Sequence, residues 1–240
     1  MTMKIGRRRI LAAAVLALGL ALPSPSAGKD DVASWNARIQ ETVQLLRSRE
    51  ASQARAIIAP VLKEMTRSVN PSKGSARAFG LALMLRGLAE AGEGHEREAT
   101  WDWHLAQQID PSLESWDLQE FGVAGEMLDR HRLARDPVPP TPEGDAREKA
   151  GGAKPEAFAP TSKMDMVDSS RVRRWKSPIV IAARVDEQGI PTYPRIVRKP
   201  EELDMVLVAS EDLRERRFIP PQWHGKPVAF TYSYQLKYVP

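Results

Sequence analysis

Cysteine is absent from all 240 residues. That excludes a disulfide framework and a thiolate metal site, and it closes the lipoprotein route, which needs an acylated cysteine. Histidine is scarce: His95, His104, His131 and His224 are the four present, and none stands in a recognised metal spacing. The pair His95 and Glu98 could place two ligands on one helical face, but His95 falls where a turn is expected. The thioethers of Met164 and Met166 beside Asp165 lie in a stretch without periodicity and carry no metal expectation. No phosphate-cradling glycine loop occurs, and no serine sits in a nucleophile elbow with a histidine partner. The chain is expected to be non-catalytic, with no catalytic, cofactor-binding or metal residue.

Long apolar runs are also missing. The one near the start, residues 10–22, is shorter than the roughly 20 residues a spanning helix needs. It follows Lys4, Arg7, Arg8 and Arg9 and precedes Ser24, Ser26 and Ala27, the layout of an export signal over residues 1–28. Cleavage is expected near residues 26–28, with retention as an anchor the alternative. Arg7-Arg8-Arg9-Ile10-Leu11 also fits a twin-arginine signal, although an ordinary basic n-region explains it as well. The net charge of +4 equals the four bases of this segment. The remainder is balanced, which gives no support to nucleic-acid binding.

What is present falls into two patterned regions and a break. Residues 29–134 carry helical spacing with few β-branched runs. Within them Leu83, Gly87, Ala99, Trp103, Ala106 and Pro111 occupy the offsets of a helical hairpin whose small residues let two helices approach, with Gly94-His95 at the turn. Ala99 and Trp103 are one helical turn apart, small then large. This region resembles a tetratricopeptide repeat. It departs from that pattern at Leu83, Arg86 and Glu90, where the family has Trp, Leu and Tyr, and the departures disfavour the family's peptide groove. Upstream, residues 35–50 and 51–65 form a degenerate repeat in which Ala54 and Ile58 restate the small-then-large step. Downstream, residues 115–133 are expected to be one capping helix with Trp116, Phe121 and Leu128 on its apolar side.

Residues 135–170 mix Pro137, Pro139, Pro140, Pro142, Pro155 and Pro160 with Gly144, Gly151, Gly152 and charges. Such a composition makes a tether, extended at about 3 Å per residue where proline dominates. Beyond it, Ile179, Ile181, Ala183 and Val185 alternate into a turn at Glu187-Gln188-Gly189, and residues 192–198 return as a second strand. Leu203, Val206, Leu207 and Leu213 then recur at helical spacing over residues 201–216. A last strand over residues 227–239 sets Val228, Phe230, Tyr232, Tyr234, Leu236 and Tyr238 on one side. The expected order is strand, strand, helix, strand in an antiparallel sheet, a small α+β unit over residues 171–240. Its sheet would leave edge strands able to grip an extended segment.

The ordered set Val185-Asp186-Glu187-Gln188-Gly189, Leu203-Asp204, Arg217-Phe218 with Pro220, and Gly225 with Pro227-Val228 resembles the C-terminal domain of the TonB family over residues 177–239. The family's Tyr-Pro entry is replaced by residues 171–175. The resemblance implies a non-enzymatic module of the periplasm that binds protein, in some members by adding a partner strand to its sheet edge. With the export signal, the expectation is a periplasmic adaptor of the Gram-negative envelope with a repeat domain and a TonB-like domain. The alternative is an energy transducer, which the short residues 10–22 disfavour because transducers carry a full spanning helix with coupling polar residues. Arg171, Arg173, Arg174 and Lys176 around Trp175, with Arg214, Arg216 and Arg217 beside Phe218, are expected to be a solvated helix end and strand entry rather than a binding patch.

Overall fold

A computed structural model describes residues 29–68, 73–133, 157–158, 179–198, 203–223 and 225–236. The expected export signal lies outside them, as do the basic residues before the first long strand and all of the tether except Ala157 and Phe158. No described helix is long and apolar enough to cross a membrane.

Helices α1 (Lys29–Arg47), α2 (Ala51–Ser68), α3 (Lys73–Gly92) and α4 (Glu96–Ile109) form two hairpins. Helix α3 is buried from Phe79 to Glu90 without a break, because α1, α2, α4 and a later helix all pack on it. A helix apolar nearly all round has no other stable place. The turn into α4 uses Gly94 at φ +83. The two helices touch closely where the small residues are: a Cβ added at Gly87 would sit 3.0 Å from the Ala99 carbonyl oxygen. Ala99 and Trp103 are fully buried. Ala99→Trp is therefore expected to cost about 1–3 kcal/mol by overpacking. Glu96→Ala, on an exposed side chain, should change stability by no more than about 0.5 kcal/mol. Thermal unfolding of the full chain checks both.

The single capping helix expected over residues 115–133 is not formed. The chain instead makes short 3-10 turns at Pro111–Ser115 and Gln119–Phe121 before helix α5 (Gly122–Arg130). Two local causes interrupt it. The Asp117 carboxylate accepts from the Gln119 amide at 2.9 Å, the side-chain competition that favours turns over helix, and Gly122 takes φ +55. The guanidinium of Arg132 then bonds the carbonyls of Glu114 and Trp116, satisfying groups an unbroken helix would have used internally. Phe121 and Leu128 are buried as expected.

The C-terminal part holds strands β2 (Ile179–Val185) and β3 (Pro191–Arg198), helix α6 (Leu203–Glu215) and strand β7 (Phe230–Leu236). The sheet is antiparallel in the order β3-β2-β7. The hairpin turn is fixed by Asp186, whose carboxylate accepts from the Gln188 and Ile190 amides at 3.0 and 2.8 Å, and by Gly189 at φ +78. Ile179, Ile181, Ala183 and Val185 are buried on the face that α6 covers with Met205, Val206, Ala209 and Leu213. Phe218 joins this core against Phe230 and Tyr232, ring centroids 6.0 and 4.6 Å away. The last strand begins at Phe230 rather than near 227. Before it, Lys226–Pro227 (β6) pairs with Gln222–Trp223 (β5) as a separate short ladder. One pairing falls within residues 135–170, the expected tether: Ala157–Phe158 (β1) runs antiparallel to Arg217–Phe218 (β4).

The helical and sheet-bearing parts also touch directly. Helix α2 packs against α6 and α4 against β3, and the buried apolar residues of both parts form one cluster.

Candidate functional site

Two of the three strands of the main sheet are edges, and their surroundings differ. On β3, α4 brings Gln108 alongside. Its Oε1 accepts from the Ile196 amide and its Nε2 donates to the Pro194 carbonyl, both at 2.7 Å. A primary amide carries one acceptor and one donor in the arrangement of a peptide group, so Gln108 takes the place of a neighbouring strand. One turn earlier on α4, the ring of His104 stacks on Tyr193 at 5.3 Å and 22°. Tyr193 holds φ +50, a left-handed conformation that is strained for a residue with a Cβ. The β2–β3 register is broken between Ala182 and Arg184. Strand β3 is thus bulged and carries Pro191 and Pro194.

On β7 the ladder with β2 is unbroken from Phe230 to Leu236. Its sequence, Phe-Thr-Tyr-Ser-Tyr-Gln-Leu, has no proline and no charge, and among the described residues no strand lies on its outer side. Tyr234 is half-buried. Burial and the Asp212 carboxylate push its phenol up to about 12, and the Arg216 guanidinium lies 4.7 Å over its ring. An edge of this kind offers main-chain donors and acceptors in a regular row.

The two parts are joined by a buried ion network. Arg86 on α3 bonds both oxygens of Asp102 on α4, at 2.5 and 2.8 Å, and reaches Glu211 on α6 at 2.7 Å. Arg214 of α6 comes within 3.8 Å of Asp102. Burial works against the Arg86 charge, but the carboxylates of Asp102 and Glu211 outweigh it and hold its pKa above the ordinary guanidinium value. Arg86 is a position where the sequence departs from the repeat pattern, and the departure coincides with the docking of α6.

Glu90 is another such position. Its carboxylate accepts from His95 Nδ1 at 2.8 Å, and ligand atoms of Glu90, Glu93 and His95 lie within 4.8 Å of one another. Arg55 of α2 bonds Glu90 at 2.9 Å and Glu93 at 3.0 Å. A cation is therefore already supplied by the chain, and the group ties α2 to the corner between α3 and α4. His95 and Glu98 are not brought together, since Glu98 pairs with Arg97 at 2.6 Å.

The remaining candidates disperse. His104 Nε2 meets the His131 carbonyl oxygen, and His131 lies 3.4 Å from Glu96. His224, Met164, Asp165, Met166 and residues 171–178 are outside the described residues. Of the C-terminal bases, Arg214 and Arg216 face the carboxylates of Asp102 and Asp212, and Arg217 bonds carbonyls of its own helix end. Charge paired in this way makes no coherent anionic-ligand surface. Sequence reasoning missed Gln108 and Asp102 altogether. The signal for the second was a buried-face arginine at position 86 in need of a counter-charge; for Gln108 no local signal exists. Comparison of the chain with protein-family models, with curated proteins and with solved structures finds no match.

Proposed function

We propose that this chain is an exported, non-catalytic protein-interaction adaptor of the Gram-negative periplasm, and that its sheet-bearing part, TonB-like in sequence order, captures an extended segment of a partner protein along β7. The observation that carries the reading is the contrast between the edges: β7 is regular, uncharged and, among the described residues, without a strand on its outer side, whereas β3 is bulged, proline-bearing and occupied by Gln108. Main-chain pairing at such an edge supplies affinity with little sequence demand. The helical part, repeat-like in its small-residue spacing, holds the sheet from behind through Arg86 and Gln108 and leaves its other faces for further contacts.

Proline scanning across Thr231, Tyr232, Ser233, Tyr234 and Gln235 tests this. A proline whose missing amide would have pointed toward β2 breaks the ladder and destabilises the fold; one whose amide would have pointed outward leaves the ladder intact. Variants of the second kind, sorted by cooperative thermal unfolding, are expected to lose partner capture from intact cells by about tenfold or more, the cost of one or two main-chain hydrogen bonds and an unpaired carbonyl. Undiminished capture by every folded variant would remove β7 as the binding edge.

A further inference from the structure

Helix α6 covers the face of β2 that carries Ile179, Ile181, Ala183 and Val185. Alternation along the strand puts Val180, Ala182 and Arg184 on the opposite face, and among the described residues α6 is the one helix in extensive contact with β2. The two ladders set Arg195 of β3 and Ser233 of β7 on either side of Ala182, so both belong to the same face. Both are exposed.

The arginines of this face differ from those between the two parts of the chain. Arg86, Arg214 and Arg216 each meet a carboxylate, whereas among the described residues neither Arg184 nor Arg195 is paired with one. The Nε of Arg184 is buried without an acceptor, a state that costs free energy until a partner is supplied. Asp186 follows Arg184 by two residues, but its Oδ1 is committed to the Gln188 and Ile190 amides of the turn. The positive charge is left for a partner to answer.

Two guanidinium forks suit carboxylates, which they bind bidentately. Arg195 lies diagonally across β2 and β3 from Arg184, and side chains so related start roughly 7–8 Å apart. Carboxylates on every second residue of an extended segment recur at about 6.6–6.8 Å. The spacings match. An anionic membrane is a poorer fit, since its recognition takes about four to eight clustered basic residues, and the balanced charge outside residues 1–28 speaks against nucleic acid.

We propose that the sheet face turned away from α6 is a docking surface for an acidic, extended segment of a partner protein, with Arg184 and Arg195 each taking one carboxylate. Both arginines lie off β7, so loss of strand capture there and loss of acidic-segment binding here are separable by variant.

The test uses the full chain and a peptide of alternating Glu and Thr about ten residues long, extended by its threonines, with a Gln-for-Glu peptide as control. Fluorescence anisotropy reports binding, and backbone amide shifts report its place. Wild type is expected to bind the acidic peptide saturably, with shifts centred on Ala182, Arg195 and Ser233, several-fold more weakly at high salt. The Gln peptide should not bind. Arg184→Gln with Arg195→Gln, checked for wild-type thermal unfolding, should weaken binding by about tenfold or more. If that double variant does not fold, Arg195→Gln alone, at an exposed position, should weaken it by about threefold. Absence of binding by wild type, equal binding of the Gln peptide, shifts centred elsewhere, or undiminished binding by the folded variants would each overturn the proposal. So would the same shifts from inorganic phosphate at equal concentration, or tighter binding to vesicles of anionic phospholipid than to the peptide.

Discussion

Asp102→Ala is expected to destabilise the chain by about 3–5 kcal/mol, the range for removing one partner of a buried ion pair. Asp102 is fully buried and supplies both oxygens to Arg86, which has little access to water of its own. After the change, one carboxylate remains within reach of Arg86, that of Glu211, and its side chain is 38% exposed. The loss is thus the desolvation of a guanidinium without compensation, not the small net worth of a salt bridge. Two companions make the cause visible in denaturant unfolding. Glu211→Gln should cost no more than about 1 kcal/mol, because a half-exposed partner is screened by water. Arg86→Met together with Asp102→Leu should recover most of the loss, since an apolar pair of similar volume removes the charge that needed a partner. A double variant as unstable as Asp102→Ala would mean that packing around Asp102, and not the charge on Arg86, sets the penalty.

Local periodicity carried much of the architecture. The spacing of Ala99, Trp103 and Gly87 reports which face of each helix is small, and that face is where α3 and α4 meet. Alternation at Ile179, Ile181, Ala183 and Val185 reports a half-covered strand, and a glycine after Asp-Glu-Gln reports its turn. The break at Asp117 and Gly122 was harder, because apolar spacing continues through residues 115–133 while a side-chain turn and a left-handed glycine decide the backbone. Least legible were the contacts between distant segments. Gln108 meets Ile196 across a separation of 88 residues, and nothing in the neighbourhood of either residue signals the other. Arg86 and Glu90 were visible as residues out of place on a buried helix face. Their partners were not, since a misplaced charge states the need for a counter-charge without saying which helix provides it. The edges followed the same rule: the sequence implied edge strands without saying which they are, and only the position of α4 marks β3 as the guarded one.

Gly189→Ala is expected to cost about 2–5 kcal/mol and to loosen the whole sheet-bearing part. Two independent penalties add at this position. Gly189 sits at φ +78, where a Cβ costs about 1–2 kcal/mol. The Cβ would also fall far inside contact distance of the Phe218 carbonyl; that atom is backbone and cannot swing away, so an overpacking cost of roughly 1–3 kcal/mol follows. The consequence reaches beyond the turn because the Gly189 carbonyl accepts the Phe218 amide at 2.9 Å. Moving Gly189 to relieve the clash lengthens that bond and draws Phe218 from its place between Phe230 and Tyr232. The same shift disturbs β4, on which Ala157–Phe158 pairs. The expected signature in unfolding experiments is a large loss of stability accompanied by faster amide exchange at Phe218 and Phe230, with the α3 amides between Leu83 and Leu88 retaining their protection. A variant with wild-type stability would mean that the hairpin turn and β4 separate freely, and that Phe218 is held in the core by its ring contacts alone.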